Sequence, residues 1–107
     1  MILMTPQGGL TPVQTDEKWL ETAENLVGCD FNEMNMQQTV LPDKDIIMLF
    51  NKNTRNGKIN PMATALLNGY TVGGNVVFMS RHGKGKTTPE HKELLETTIG
   101  GYKNESS

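Results

Sequence analysis

The sequence predicts a small α+β domain, in which a mostly antiparallel sheet of four to five strands is packed by two to three helices. The first observation is that the two most apolar runs, Ile46–Phe50 and Asn75–Met79, are short and bounded by turn residues, as is typical of central strands. The second is that apolar residues elsewhere recur with a helical period, and Pro or Gly stands at the ends of those segments.

The length and composition predict one domain with a thin core. A chain of 107 residues buries about two thirds of its extended surface, which is enough for a single modest core. Only 36% of the residues are hydrophobic, so we expect homo-oligomerisation to supply extra burial. We place the domain at residues 1–101 and a flexible C-terminal tail at 102–107.

The charge and cysteine content disfavour several function classes. Ten Lys and Arg against 12 Asp and Glu give a net charge of −2, which disfavours nucleic-acid binding through global charge, so any anion site must be local. Cys29 is the only cysteine, which excludes an intrachain disulfide and a zinc quartet and fits the cytoplasm. The apolar Met1–Met4 run is too short for a signal peptide or a membrane span, so we expect a strand there and no membrane association.

The N-terminal third predicts a strand, a turn and a helix. After the Met1–Met4 strand, a Pro- and Gly-rich segment reverses the chain before Val13. Thr15 and Asp16 are suitable caps for a helix that Gly28 ends. One apolar stripe of this helix faces the core, formed by Trp19, Leu20, Ala23, Leu26 and Val27.

The middle of the chain predicts strands of different burial. Cys29–Met36 loosely alternates and predicts a half-exposed strand, which Thr39–Leu41 either extends or follows as a new short strand. The uninterrupted Ile46–Phe50 run predicts a strand covered on both faces or central in the sheet. Asn53–Gly57 then predicts a loop.

The C-terminal half predicts two helices around the second central strand. Asn60–Pro61 begins a helix of about two turns that Asn68–Gly69 closes. Val72–Met79 follows as the strand, with a bulge or turn at its glycines. Thr88–Pro89 begins the last helix, Gly100–Gly101 ends it, and its buried face is formed by His91, Leu94, Leu95 and Ile99.

The central part of the chain also resembles a known family. The residues that carry the resemblance span roughly 20 to 80 and comprise Leu26–Gly28, Glu33, Asn51, Gly57–Lys58, Asn60–Leu67 and Gly74–Phe78. In order and spacing they resemble a small family of phages and mobile genetic elements, domain of unknown function 3846. The resemblance implies a viral or mobile-element origin, where small accessory proteins bind and disable a host component. It implies no catalytic residues, and the Arg81–Lys86 loop lies outside it.

The loop Arg81–Lys86 is the first candidate ligand site. Its candidate contacts are Arg81, His82, Lys84 and Lys86, because cationic side chains bind phosphate and glycines let backbone N–H groups approach it. The glycine spacing differs from that of a P-loop, which disfavours a nucleoside-triphosphate hydrolase. An ordinary charged surface loop explains the same residues.

A second basic loop contributes Lys52, Arg55 and Lys58. If the two central strands are neighbours and run in the same direction, both loops lie at one edge and form a single cationic rim. Solvated turn residues are the alternative. Asn60 is included as a candidate ligand contact, although a helix cap is the more common role of Asn before Pro.

The chain carries no recognisable catalytic constellation, metal site or cofactor motif. His82 and His91 have no carboxylate or Cys at ligand spacing, and no nucleophile partner is identifiable. We therefore expect a non-enzymatic counter-defence protein of phage or mobile-element origin that sequesters an anionic small molecule, such as a nucleotide-derived immune signal. The alternatives are an inhibitor that binds a host defence or regulatory protein through a Met-rich surface, and a small enzyme acting on a phosphorylated substrate.

Overall fold

The computed structural model describes residues 1–53 and 58–105, which form a five-stranded antiparallel sheet and three α-helices. The α+β prediction is confirmed. The strands lie in the order β2-β1-β5-β4-β3. In chain order the elements are β1 (Ile2–Met4), β2 (Leu10–Pro12), α1 (Trp19–Val27), a 3₁₀ turn (Phe31–Glu33), β3 (Met34–Gln38), β4 (Ile46–Asn51), α2 (Pro61–Leu66), β5 (Val76–Ser80) and α3 (Pro89–Glu105).

Helices cover the sheet on both faces. Alternate residues of β4 point to opposite sides, and every residue from Ile46 to Phe50 is buried. Ile46, Met48 and Phe50 join a core with apolar residues of α2 and α3. Ile47 and Leu49 join a second core with Ala23 and Val27 of α1. The absence of polar residues in this run therefore reflects a central strand with a helical layer on each side.

Helix α1 begins four residues later than the sequence predicts. Asp16 Oδ1 accepts a hydrogen bond from the backbone N–H of Lys18 at 2.8 Å, which forms a local turn before the helix. The Thr15 hydroxyl donates to the carbonyl oxygen of Gly85 at 3.2 Å, so it is used in a distant contact and not as a cap. The end is as predicted, because Gly28 adopts φ +86° and donates to the carbonyl oxygen of Glu24.

The segment predicted as one strand from Cys29 divides into a 3₁₀ turn and β3. The backbone N–H of Phe31 donates to Glu24 Oε2 at 2.9 Å, which holds the turn against the end of α1. Thr39–Leu41 forms a bend and no strand, since Thr39 Oγ1 accepts from the N–H of Leu41 at 3.2 Å. Leu41 instead enters the core beside α2 and α3.

The predicted start of α2 is confirmed. Asn60 Oδ1 accepts from the N–H of Ala63 at 3.1 Å, and Pro61 occupies the first helical position. Strand β5 begins at Val76 and not at Val72, because the chain first forms an isolated bridge between Ile59 and Gly73. The predicted Asn53–Gly57 loop lies mostly outside the described residues.

The predicted start of α3 is also confirmed, but its predicted end is wrong. The helix continues through Gly100–Gly101 to Glu105. Glycine lowers helix stability by about 1 kcal/mol per residue without forcing an end, since a helix ends only where the backbone leaves helical φ and ψ. The backbone of 102–105 therefore belongs to α3, and residues 106–107 lie outside the described part. Within that part, no helix is long and apolar enough to cross a membrane.

Candidate functional site

The two basic loops lie at opposite ends of the sheet. Strands β4 and β5 are neighbours but antiparallel, with Ile46 opposite Ser80 and Leu49 opposite Val77. The loop after Asn51 and the loop after Ser80 are therefore separated by the length of β4, which is ~17 Å at the usual rise per residue. The single cationic rim required parallel strands, and that hypothesis is wrong.

The loop after β4 presents two exposed lysines at its described positions. Lys52 Nζ lies 3.5 Å from the carbonyl oxygen of Asn32, and the carbonyl oxygen of Lys58 accepts from the N–H of Gly74 at 2.7 Å. Arg55 lies outside the described residues.

The Asn60 side chain is fully occupied inside the protein. The residue is 0% exposed, its Oδ1 caps α2, and its Nδ2 donates to the carbonyl oxygens of Gly74 at 3.0 Å and Met4 at 3.4 Å. A side chain with no exposed surface, whose oxygen and nitrogen both bond inside the protein, cannot reach a ligand in this structure. Asn60 is therefore a helix cap that also ties α2 to the sheet.

The loop Arg81–Lys86 consists of two consecutive turns. The N–H of Gly83 donates to the carbonyl oxygen of Ser80 at 3.2 Å, and the N–H of Lys86 donates to that of Gly83 at 3.1 Å. Lys84 and Gly85 have φ values of +49° and +85°, so the second turn has the two left-handed central residues of type I′. The N–H of Ser80 donates to the carbonyl oxygen of Lys86 at 2.8 Å and closes the loop at its base.

Both glycines of this loop are required by packing. A Cβ atom on Gly83 would lie 2.8 Å from the Cβ of Ser80. A Cβ atom on Gly85 would lie 2.6 Å from the Cβ of Trp19. The sequence suggests that these glycines let a phosphate approach the backbone. In the structure Gly83 instead lets the loop pack against Ser80, and Gly85 lets it pack against Trp19 at the start of α1.

This contact forms an open groove of about 750 Å³ between the loop and the segment that enters α1. It brings together three predicted site residues, His82, Lys84 and Lys86. Arg81 is exposed but does not line the groove, and its backbone N–H donates to the carbonyl oxygen of Asp45 at 2.7 Å. The remaining lining residues are Gly83 on the loop and Thr15, Asp16, Glu17 and Trp19 on the facing segment.

The groove has one cationic and one anionic wall. Lys84 and Lys86 are exposed, and among the residues that the structure describes neither lies within 4 Å of a carboxylate oxygen. Asp16 and Glu17 are exposed on the facing wall, beside the half-buried Trp19. Such a groove can hold a phosphate at the lysines, hydroxyl groups at the carboxylates and a flat ring near the indole.

A polar cluster fixes the base of the loop. The Ser80 hydroxyl donates to Asp45 Oδ2 at 2.5 Å, and this hydrogen bond is the main reason that the pKa of Asp45 lies below its usual value. His91 is 4% exposed, and its Nε2 lies 3.2 Å from Asp43 Oδ2 and 3.5 Å from Asp45 Oδ2. The cluster joins the end of β5, the start of β4 and the start of α3.

Sequence reasoning found the basic wall of the groove and missed the facing wall. The local sequence predicts Thr15 and Asp16 as helix caps and Trp19 as a core residue. Trp19 does pack against the core beside α1, but it also lines the groove. The Thr15–Gly85 hydrogen bond joins residues 70 positions apart, so no local pattern could place them together. The one available signal was the only tryptophan of the chain directly after three charged residues, Asp16–Lys18, which marks an apolar ring at a polar surface.

No group of three or more His, Cys, Asp or Glu side chains that could hold a metal ion occurs within residues 1–53 and 58–105. Comparison of the chain with protein-family models, with curated proteins and with solved structures finds no match.

Proposed function

We propose that this protein binds a nucleotide-like anion in the groove between the Arg81–Lys86 loop and residues 15–19, and sequesters it without chemical change. The observation that carries the proposal is the convergence of His82, Lys84 and Lys86 with Trp19 in one groove. A phosphate-bearing ligand with an aromatic base uses both features. The resemblance to a family of phages and mobile genetic elements supports a nucleotide-derived signal of host immunity as the ligand.

Each part of the ligand has a matching group. Lys84 and Lys86 present charges that no described carboxylate neutralises, so a phosphate displaces only water from them. The backbone N–H groups of His82 and Lys84 have no acceptor within the described residues and can add to anion binding. A base stacked on an aromatic side chain contributes about 1 to 3 kcal/mol, and the carboxylates of Asp16 and Glu17 can accept hydrogen bonds from ribose hydroxyls.

Calorimetric titration with a nucleotide panel tests the proposal. The panel contains cyclic mononucleotides, cyclic dinucleotides and ADP-ribose, with an uncharged nucleoside and inorganic phosphate as partial ligands. We expect one panel member to bind with a clear preference over both partial ligands, because only it uses both the lysine wall and the indole. Affinity should fall with rising salt concentration, since the exposed lysines are screened.

A matched pair of variants assigns the site. Lys84→Ala/Lys86→Ala removes two charges from the groove, and Lys52→Ala/Lys58→Ala removes two exposed charges at the other end of the sheet. The first variant should weaken binding by at least about tenfold, which corresponds to about 1.4 kcal/mol, and the second should leave it unchanged. No binding to any panel member, or equal weakening by both variants, contradicts the proposal.

Recovery of the ligand separates sequestration from turnover. After prolonged incubation and heat denaturation of the protein, chromatography should return the bound nucleotide intact. A converted product would instead assign an enzymatic activity to the groove.

A further inference from the structure

A second open groove, of about 360 Å³, adjoins the basic groove described above. Its lining includes residues 12–14, which follow from the end of β2, and Lys86 and Thr87 on the opposite side. Thr15 and Lys86 line both grooves, so the two cavities meet at these two residues. Together the grooves form one cleft along the segment that connects β2 to α1.

A hydrogen bond fixes the junction between the two grooves. The Thr15 hydroxyl donates to the carbonyl oxygen of Gly85 at 3.2 Å, which ties the connecting segment to the loop where the grooves meet. Lys86 follows Gly85 directly, is exposed, and forms no ion pair with a carboxylate of the described residues. A cation that is available to a ligand therefore lies at the boundary of the two grooves.

The two grooves differ in charge. The basic groove has charged side chains on both walls, whereas the adjoining groove, as the described residues form it, has Lys86 as its one charged side chain. Pro12 and Val13 give the adjoining groove an apolar surface, and the exposed Gln14 adds an amide that both donates and accepts hydrogen bonds. Such a surface suits an uncharged sugar and base better than it suits a second phosphate.

The position of Lys86 bears on how the phosphate of the ligand is connected. A terminal phosphate carries one nucleoside, so a mononucleotide bound at Lys86 places its nucleoside in one groove and leaves the other empty. A phosphate that links two nucleosides carries one on each side, so the same charge-assisted contact places a nucleoside in each groove. A cation between two grooves therefore matches a linking phosphate.

We propose that the ligand is a dinucleotide, with one nucleoside beside Trp19 in the basic groove, the linking phosphate at Lys86 and the second nucleoside in the adjoining groove. This inference rests on the proposed function and narrows its ligand to one class. The second base lies against Val13, and the Gln14 amide bonds to its polar edge. Volumes of about 750 and 360 Å³ both fall within the range of about 300 to 1,000 Å³ that small-molecule sites occupy, so each groove has room for one nucleoside.

Titrations with matched ligands of one and two nucleosides test the proposal. The probes are AMP and GMP, the linear dinucleotides ApA and GpG, and cyclic di-AMP and cyclic di-GMP. At least one dinucleotide should bind at least about tenfold more tightly than the mononucleotide with the same base, because it fills both grooves. AMP and GMP carry more negative charge than ApA and GpG, so tighter binding of a linear dinucleotide cannot come from charge.

Amide NMR spectra of the full chain locate the second nucleoside without any substitution. The signals of Val13 and Gln14 should shift when the preferred dinucleotide is added and should stay in place when the mononucleotide is added. The signal of Trp19 should shift with both ligands, because both place a base in the basic groove.

A pair of variants then assigns the adjoining groove. Val13→Ala/Gln14→Ala removes its apolar surface and its amide; Val13 belongs to neither hydrophobic core and Gln14 is exposed, so the chain should stay folded. This variant should weaken dinucleotide binding at least about fivefold and change mononucleotide binding by less than about twofold. Lys84→Ala, which removes a charge from the basic groove alone, should weaken both classes of ligand by the same factor.

The outcomes separate this inference from the proposed function. Equal affinity for a dinucleotide and its mononucleotide, without shifts at Val13 and Gln14, would overturn the inference and leave a nucleotide site in the basic groove. Tight dinucleotide binding that Val13→Ala/Gln14→Ala does not weaken would overturn it too, because the second nucleoside would then lie elsewhere. Binding of ADP-ribose alone would refute the dinucleotide class and keep the proposed function, whereas absence of all binding would contradict both.

Discussion

Thr88 and His91 hold each other at the start of α3 through two reciprocal hydrogen bonds. Thr88 Oγ1 accepts from the N–H of His91 and His91 Nδ1 accepts from the N–H of Thr88, both at 3.2 Å. This is the arrangement of a capping box, with imidazole in the position usually taken by Glu or Gln. Because Nδ1 is an acceptor, the ring proton is assigned to Nε2, which faces Asp43 Oδ2 at 3.2 Å.

Replacement of His91 should destabilise the fold. His91→Ala removes the cap partner of Thr88 and the buried imidazole that contacts Asp43, so the free energy of unfolding should fall by about 1 to 3 kcal/mol. His91→Gln keeps an acceptor for the N–H of Thr88 and should recover part of the loss. Urea denaturation measures both, with exposed Glu93→Ala on the same helix as the control. Equal stability of His91→Ala and Glu93→Ala would contradict this role.

The pKa of Asp45 predicts acid sensitivity. The hydrogen bond from the Ser80 hydroxyl is the main reason that the pKa of Asp45 lies below its ordinary value of 3.8. A carboxyl whose pKa is lower in the folded state contributes stability above the unfolded pKa, and that contribution is lost as pH falls below 3.8 through the folded pKa. Ser80→Ala should therefore reduce the dependence of unfolding free energy on pH in the acid range.

Urea denaturation between about pH 2.5 and pH 5 checks this prediction. Thr97→Ala removes an exposed hydroxyl from α3 and is the control, since it should leave the acid slope unchanged. If Ser80→Ala and the unmodified chain lose stability in parallel as pH falls, the hydrogen bond does not set the pKa of Asp45.

The parts of this fold that could be predicted from sequence depend on local chemistry. The helix starts and ends that were predicted correctly are set by backbone hydrogen bonds within four residues, at Asn60–Pro61, Thr88–Pro89 and Gly28. These residues therefore begin or end a helix whatever the rest of the chain does. The groove depends on contacts such as that between Thr15 and Gly85, which only the assembled sheet creates.

The direction of β5 relative to β4 illustrates the same limit. The 24 residues from 52 to 75 that connect β4 to β5 are enough for a parallel crossover, which needs a dozen or more residues, and also for a return at the same end of the sheet. In the structure β5 runs antiparallel to β4, so the chain returns at the same end. The length of the connection does not decide between the two arrangements, and the separation of the two basic loops follows only from the assembled sheet.

Gly85 should tolerate substitution less well than Gly28, although both have nearly the same backbone conformation. Their φ values are +85° and +86°, but a Cβ on Gly28 meets no atom within 4 Å, whereas one on Gly85 would lie 2.6 Å from the Cβ of Trp19. Gly28→Ala should cost about 1 kcal/mol for the left-handed conformation. Gly85→Ala should cost about 2 to 4 kcal/mol, because overpacking is added.

Chemical denaturation and Trp19 fluorescence distinguish the two variants. Since Trp19 is the only tryptophan, its emission reports directly on the contact with Gly85 and should shift in Gly85→Ala alone. Equal destabilisation of the two variants with unchanged emission would contradict this prediction, because the loop would then accommodate the added methyl group without displacing Trp19.

Asn60 provides the sharpest separation between a structural and a ligand-binding role. Asn60→Ala removes the acceptor for the N–H of Ala63 and the donors to the carbonyl oxygens of Gly74 and Met4, all of which are inside the protein. The cap contributes about 1 kcal/mol and the unpaired buried groups about 1 to 3 kcal/mol, so unfolding free energy should fall by about 2 to 4 kcal/mol.

Asn60→Asp keeps the acceptor for α2 but removes the donors and buries a charge, so it should not restore stability. Lys52→Ala, at an exposed position, should change stability by less than about 0.5 kcal/mol. Under conditions where Asn60→Ala remains folded, its nucleotide affinity should equal that of the unmodified chain, because Asn60 lies at the end of the sheet opposite the groove. A loss of affinity with unchanged stability would return Asn60 to the binding site and contradict its assignment as a cap.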